Sequence, residues 1–197
     1  MPEVVSDIIV SPAVVWVAPY GEAVPADSVA AGIAWGGNWV KLGYTKSPLS
    51  CLYETDEVEI MVEQVLGPVK RQKTSEHLTL ETNLAELYAD GLAYAGGTVS
   101  ATAAGAGQVG KEELDIGDEA ALIEYAFGFE ASYVDEDGAT FPIRVFVWKA
   151  TAKINGALEF AKADSTAIPL QVKALEDTTL SVGQRLFQLQ KILEPAS

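Results

Sequence analysis

The chain has 197 residues, of which 49% are hydrophobic and 21% charged, and its formal net charge is −15. That length and apolar fraction fit one globular domain spanning 1–197 and exclude intrinsic disorder. The acidic balance repels phosphate backbones and excludes ordinary DNA or RNA recognition, though not the passage of nucleic acid nearby.

Cys51 is the only cysteine, so no internal disulfide forms and a reducing compartment is tolerated. Met1-Pro2-Glu3 lacks a basic region, and Asp7 and Pro12 interrupt the apolar residues behind it. No signal peptide is expected. The apolar runs fall far short of the ~20 residues of a spanning helix, which predicts a soluble protein without a membrane partner.

In chain order, Ile8 to Val17 reads as a first strand, with Pro12 marking an edge or bulge. A small-residue loop follows at 19–37, then a short strand from Trp39 to Tyr44 that ends at Ser47-Pro48. Leu49 to Val65 reads as one strand bent near Asp56, or as two. In it Val58, Ile60 and Val62 alternate with Glu57, Glu59 and Glu63, which gives one apolar face and one carboxylate face. Behind Gly67-Pro68 comes the basic cluster Lys70, Arg71 and Lys73, then a second alternating run through Leu78 and Leu80.

A helix is predicted over 84–95. Asn83 is a good N-cap, Glu86 stands where it reaches back to the cap, and Leu84, Leu87, Tyr88, Gly91, Leu92 and Ala95 share one face. The Ala-, Gly- and Thr-rich stretch and the acidic residues after it, 98–119, read as a second long loop. Ala121 to Val134 and Ala139 to Ile154 read as strands joined by Asp135-Glu136-Asp137-Gly138, a strong hairpin signal. Phe141 to Trp148 is apolar on both faces, so it lies deep in a sandwich or against a partner. Ala157 to Ala161 and Ile168 to Ala174 add two strands, and Val182 to Leu193 fits helix or strand. About eight strands and one helix predict a mainly β fold, an antiparallel sandwich or barrel with one flanking helix.

The candidate chemistry is thin. Gly105 to Gly110 spells GxGxxG, but no strand-then-helix context surrounds it, so it reads as a flexible loop and no cofactor is expected. Asp135, Asp137 and Gly138 lack the further oxygen ligands of a calcium loop. His77, the single histidine, builds neither a triad nor a metal cluster, and Cys51 has no adjacent base to activate it. No catalytic or metal-binding residue is expected. The stripe Glu57, Glu59, Glu63 also fits the solvated outer face of an ordinary sheet.

The order of segments resembles the tail tube, or major tail, proteins of long-tailed phages. The resemblance lies in Trp39-Val40-Lys41-Leu42-Gly43-Tyr44-Thr45, the acidic strand and the run to Thr74. It continues with Leu78-Thr79-Leu80-Glu81-Thr82 into the expected helix Leu84 to Tyr94 and, late in the chain, Ile168 to Asp177. It implies a non-enzymatic virion subunit that self-assembles without cofactor in the host cytoplasm. Its rings, of six subunits, would stack into a hollow tube for genome delivery. Implied partners are copies of itself, the tail terminator, tape measure and distal tail proteins, and viral DNA in transit without specific binding. Within that resemblance Glu57, Glu59 and Glu63 are candidates for the lining of the bore, since carboxylates repel phosphate. Lys70, Arg71 and Lys73 are candidates for contact with the next ring. Two alternatives stand beside it: a ring-forming tail terminator or secretion-tube protein, and a carbohydrate-binding β-sandwich using Trp16, Trp35, Trp39 and Trp148.

Overall fold

The computed structural model describes residues 11–26, 30–46, 48–86, 93–117, 122–157 and 167–193. Ten strands run antiparallel: β1 (Val14–Pro19), β2 (Val40–Lys41), β3 (Ser50–Ile60), β4 (Lys70–Leu84), β5 (Thr98–Thr102), β6 (Lys111–Asp115), β7 (Tyr125–Val134), β8 (Thr140–Ile154), β9 (Ile168–Ala174) and β10 (Phe187–Lys191). Eight form one sheet in the order β2-β1-β7-β8-β9-β4-β3, with β10 also on β8, and β5 pairs only β6. The mainly β, antiparallel expectation holds.

Strand β8 organises the sheet. One edge bonds β7, and the other bonds β10 at Ile143–Val147 and then β9 at Ala150–Ile154. Between those partners the register slips, because Phe127 faces Val147 while Tyr125 faces Ala150. The extra β8 residue is a bulge, which bends the strand and flips its alternation. Val147, Ala150 and Ala152 therefore all reach one core, with Val15 and Val17 of β1, Phe127 and Phe129 of β7, Ile168, Leu170 and Val172 of β9, and Leu78, Leu80 and Leu84 of β4. The segment behind β2 ties the ends of this path together. The Leu42 amide donates to the Val15 carbonyl at 2.9 Å, and the Lys46 amide to the Asn83 carbonyl at 2.7 Å.

The opposite face of β1, β7 and β8 carries Trp16, Ala126 and Phe146, covered by Trp35 and Trp39 from the loop before β2. Glu130 and Arg144 lie directly across from each other beneath it, 3% and 0% exposed, with Arg144 Nε 2.9 Å from Glu130 Oε2. Trp35 Nε1 donates to the same oxygen at 3.0 Å, and the Gly32 amide to Oε1 at 2.8 Å. A carboxylate with three donors is well satisfied, so the pair is tolerable despite its desolvation cost. Gly128 makes room for the cover, since a Cβ there would stand 2.1 Å from the Trp35 ring.

The structure corrects the sequence reading in several places. Asn83 and Leu84, expected as helix cap and first turn, are the last residues of β4 and pair with Pro169 and Ile168. The two-residue period of Leu78, Leu80, Thr82 and Leu84 simply runs on, all four being buried, and ladder bonds outweigh a local cap. Residues 87–92 of the expected helix lie outside the described residues, and no helix is an element among those described. The expected loop 98–119 holds the β5–β6 hairpin, with the GxGxxG glycines at its turn, where Gly105 and Gln108 form a bridge. The ambiguous 182–193 segment contains strand β10. The strand expected near Ala157 to Ala161 falls mostly outside the described residues, as does the start of the one from Ile8. Asp135–Gly138 is the expected hairpin turn, the Asp135 carboxylate accepting the Ala139 amide at 2.7 Å. Among the described residues no helix is long and apolar enough to cross a membrane.

Replacing Glu130 by Ala leaves the Arg144 guanidinium buried without its carboxylate. A loss of about 3–5 kcal/mol is expected, read as a lower urea midpoint at unchanged m-value; a midpoint within error of the parent would show the pair to be dispensable.

Candidate assembly surface

Strands β3 and β4 form a hairpin much longer than the sheet that supports it. β4 bonds β9 only from Thr79 to Leu84, so among the described residues β3 is the one strand paired with Lys70–Leu78. Leu78 still belongs to the core, and beyond the slip at Thr74 the four pairs of 57–60 with 70–73 project, at about 3.3 Å per residue, roughly 13 Å before their connection. Every residue of β3 is exposed. Val58 and Ile60, expected as an apolar face, remain 48% and 40% exposed, and Met61, Val62, Val65, Leu66 and Val69 at the tip are exposed too. An isolated two-stranded hairpin is marginal in water, and in this one 57–60 and 70–73 stay exposed on both faces.

The register puts the two candidate groups together. Glu57 stands across from Lys73 and Glu59 across from Arg71, while Val58 faces Gln72 and Ile60 faces Lys70. Residues directly opposite share a face. One face of the arm therefore carries Glu57, Glu59, Arg71 and Lys73, and the other carries Val58, Ile60, Gln72 and Lys70. Arg71 reaches Glu59 at 2.8 Å, an exposed pair of small energetic value. Glu63 lies in the connection beyond β3. The charged face continues the core face of the body, since Tyr53 pairs with buried Leu78 and Cys51 with buried Leu80. A slip at Asp56/Glu57, where Thr74 is the extra residue, marks the point at which the arm leaves the body.

At that root Lys73 bonds Glu76 and donates to Tyr53 Oη at 2.9 Å, and Tyr53 Oη donates to Glu76 Oε2 at 2.7 Å. The Lys73 ammonium holds the Glu76 carboxyl below its ordinary pKa, and Glu76 in turn raises that of Lys73. Tyr53 also packs on Phe187, 5.7 Å between ring centroids. Between arm root and the 176–187 segment lies a groove of about 560 Å³, lined by Tyr53, Lys73, Glu76, Glu176, Arg185 and Phe187 among others. Asp177 folds that segment: its carboxylate accepts from the Thr179 hydroxyl at 2.6 Å, the Thr179 amide at 3.0 Å and Tyr20 Oη at 3.1 Å. The Thr179 hydroxyl bond, foremost, lowers the Asp177 pKa.

The remaining candidates are placed as follows. His77 is exposed on the arm's apolar face, across from Glu54. Cys51 is a free, exposed thiol whose pKa partial burial pushes up. No group of three metal-ligating side chains occurs among the described residues. Trp16, Trp35 and Trp39 are buried at 5–8% exposure, so they form no sugar platform. Sequence reasoning missed the length of the arm, and the register that puts acids and bases on one face.

The model of the family described as "Phage tail tube protein" matches residues 5–187, nearly the whole chain. No curated protein matches it.

Because the Asp177 pKa is depressed on folding, its stabilising effect is complete above the unfolded value of about 4 and disappears as pH falls through the folded one. Urea midpoints of the parent and of Asp177→Asn should differ at neutral pH and converge on acidification; a constant gap down to pH about 3 would contradict the assignment.

Proposed function

We propose, given that this chain belongs to the family of phage tail tube proteins, that copies of it close into rings and that the rings stack into a hollow tube for viral DNA. Membership makes it a structural component of the viral tail. The observation that carries the finer reading is the distal arm, 57–60 paired with 70–73, whose residues stay exposed on both faces. Uncovered apolar residues rimmed by charge mark an interaction surface, and an assembly of identical subunits supplies the cover. The tie from β1 through Val40–Lys46 to β4 supports a rolled sheet of the sandwich or barrel type.

In this reading six subunits make a ring, assembled in the host cytoplasm, with tail terminator, tape measure and distal tail proteins at the ends of the tube. The charged face of the arm lines the bore. Glu57 and Glu59 alternate there with Arg71 and Lys73, and Glu63 leaves acid in surplus. Such a surface offers phosphate no continuous cationic track, so DNA slides without adsorbing. Lys70, on the apolar face with Val58 and Ile60, and the apolar tip contact the next ring.

Negative-stain microscopy of concentrated protein, at low and high salt, should show rings or hollow tubes wide enough for a DNA duplex. Persistent monomers under both conditions, with and without the distal tail proteins, would refute tube formation. In virions that assemble, Glu63→Lys should slow genome ejection at least about tenfold; an unchanged rate would remove Glu63 from the bore.

A further inference from the structure

The chain holds three asparagines, and one of them is placed for chemistry on its own backbone. Asn38 is followed by Trp39, and its carboxamide donates to Glu22 Oε2 at 2.7 Å. Asn83 lies within β4, in register with Pro169, and is followed by buried Leu84. Asn155 is different. It is exposed just past the end of β8, and the next residue, Gly156, is exposed as well. Its backbone amide donates to the Pro169 carbonyl at 2.9 Å, which holds the end of β8 on β9. The Asn155 carboxamide and the Gly156 amide have no hydrogen-bond partner among the described residues. Gly156 has φ +152°, and no Cβ shields its nitrogen.

We propose that Asn155-Gly156 is a site of spontaneous covalent modification in the folded protein, deamidation through a succinimide. The Gly156 nitrogen gives up its proton to hydroxide and attacks Cγ of Asn155. The new C–N bond displaces the carboxamide nitrogen, which leaves as ammonia. Water then opens the imide at either carbonyl, leaving an aspartyl or isoaspartyl residue at 155. Both products carry a new carboxylate, so the copy becomes one charge more negative than −15. That charge borders the pocket of about 330 Å³ that Asn155 shares with Glu81, Asn83 and Gln171. The isoaspartyl product also lengthens the main chain by one carbon between the Pro169 bond and Gly156. Space is short there, since a Cβ on Gly156 would stand 2.8 Å from Pro169 Cγ. An assembly of many copies therefore becomes heterogeneous in charge as it ages. The chemistry is independent of the tube reading, because it needs only the folded subunit and water.

The test holds the full chain in warm, mildly alkaline buffer for several weeks, with far-UV circular dichroism to confirm that it stays folded. Peptide mapping should find isoaspartate at 155, formed at a rate within about tenfold of that in a free peptide spanning residues 151–157. Asn38 and Asn83 should remain intact. Anion exchange should resolve a growing species of greater negative charge. Asn155→Gln, which closes only a larger ring, should lower both signals at least about tenfold. Gly156→Ala is the poorer control, because it strains the backbone at φ +152° and crowds Pro169. An intact Asn155 in the folded chain once the peptide has converted would overturn the proposal. Conversion of Asn38 or Asn83 as fast as Asn155 would overturn it too, since global unfolding would then be the cause.

Discussion

Both edges of β8 are hydrogen-bonded along most of its length, and the body takes its shape from that saturation. A strand with β7 on one side and two successive partners on the other cannot stay flat. The bulge between Val147 and Ala150 absorbs the change of partner and redirects the side chains, so one core receives residues from five strands. The opposite face would be left with a buried acid and a buried base. It is closed instead by a loop whose tryptophan donates to the acid and lies 5.9 Å from the base, ring centroid to guanidinium carbon. Burial of the ion pair and anchoring of the loop are thus one event, since neither is favourable without the other.

Much of this body was legible in the sequence. Ile168–Ala174 and the Asp135–Gly138 hairpin were readable because apolar alternation and turn chemistry agree there. The Glu130–Arg144 pair was missed, although the hairpin register that matches Val134 with Thr140 also sets these two opposite each other. A helix was expected at 84–95 because Asn83 and Glu86 are good capping residues. Caps are worth about 1 kcal/mol, and Asn83 already stands in register with Pro169 of β9 while its carbonyl accepts the Lys46 amide. The β5–β6 hairpin stayed hidden because Ala, Gly and Thr carry no hydrophobic period.

The arm was hidden for a different reason. A strand expected to bury its apolar stripe reads the same whether the cover comes from its own chain or from another, and periodicity does not distinguish the two. Only the register showed that the acid stripe and the basic cluster are one surface. That changes the electrostatics: the arm presents alternating signs at close spacing, whose field decays within a Debye length, whereas a net charge of −15 acts on the subunit as a whole. Like charge on whole subunits opposes their approach, and added salt weakens that repulsion.

The place of β10 on β8 also governs how the chain folds as it is made. Ile143–Val147 are synthesised some forty residues before Phe187–Lys191, which cover their edge. At roughly 5–20 residues per second that edge waits for seconds beside the growing chain. A late, C-terminal strand therefore acts as a latch on nascent protein, and ribosome stalling or premature termination near residue 186 would release molecules with an apolar edge ready to capture one another.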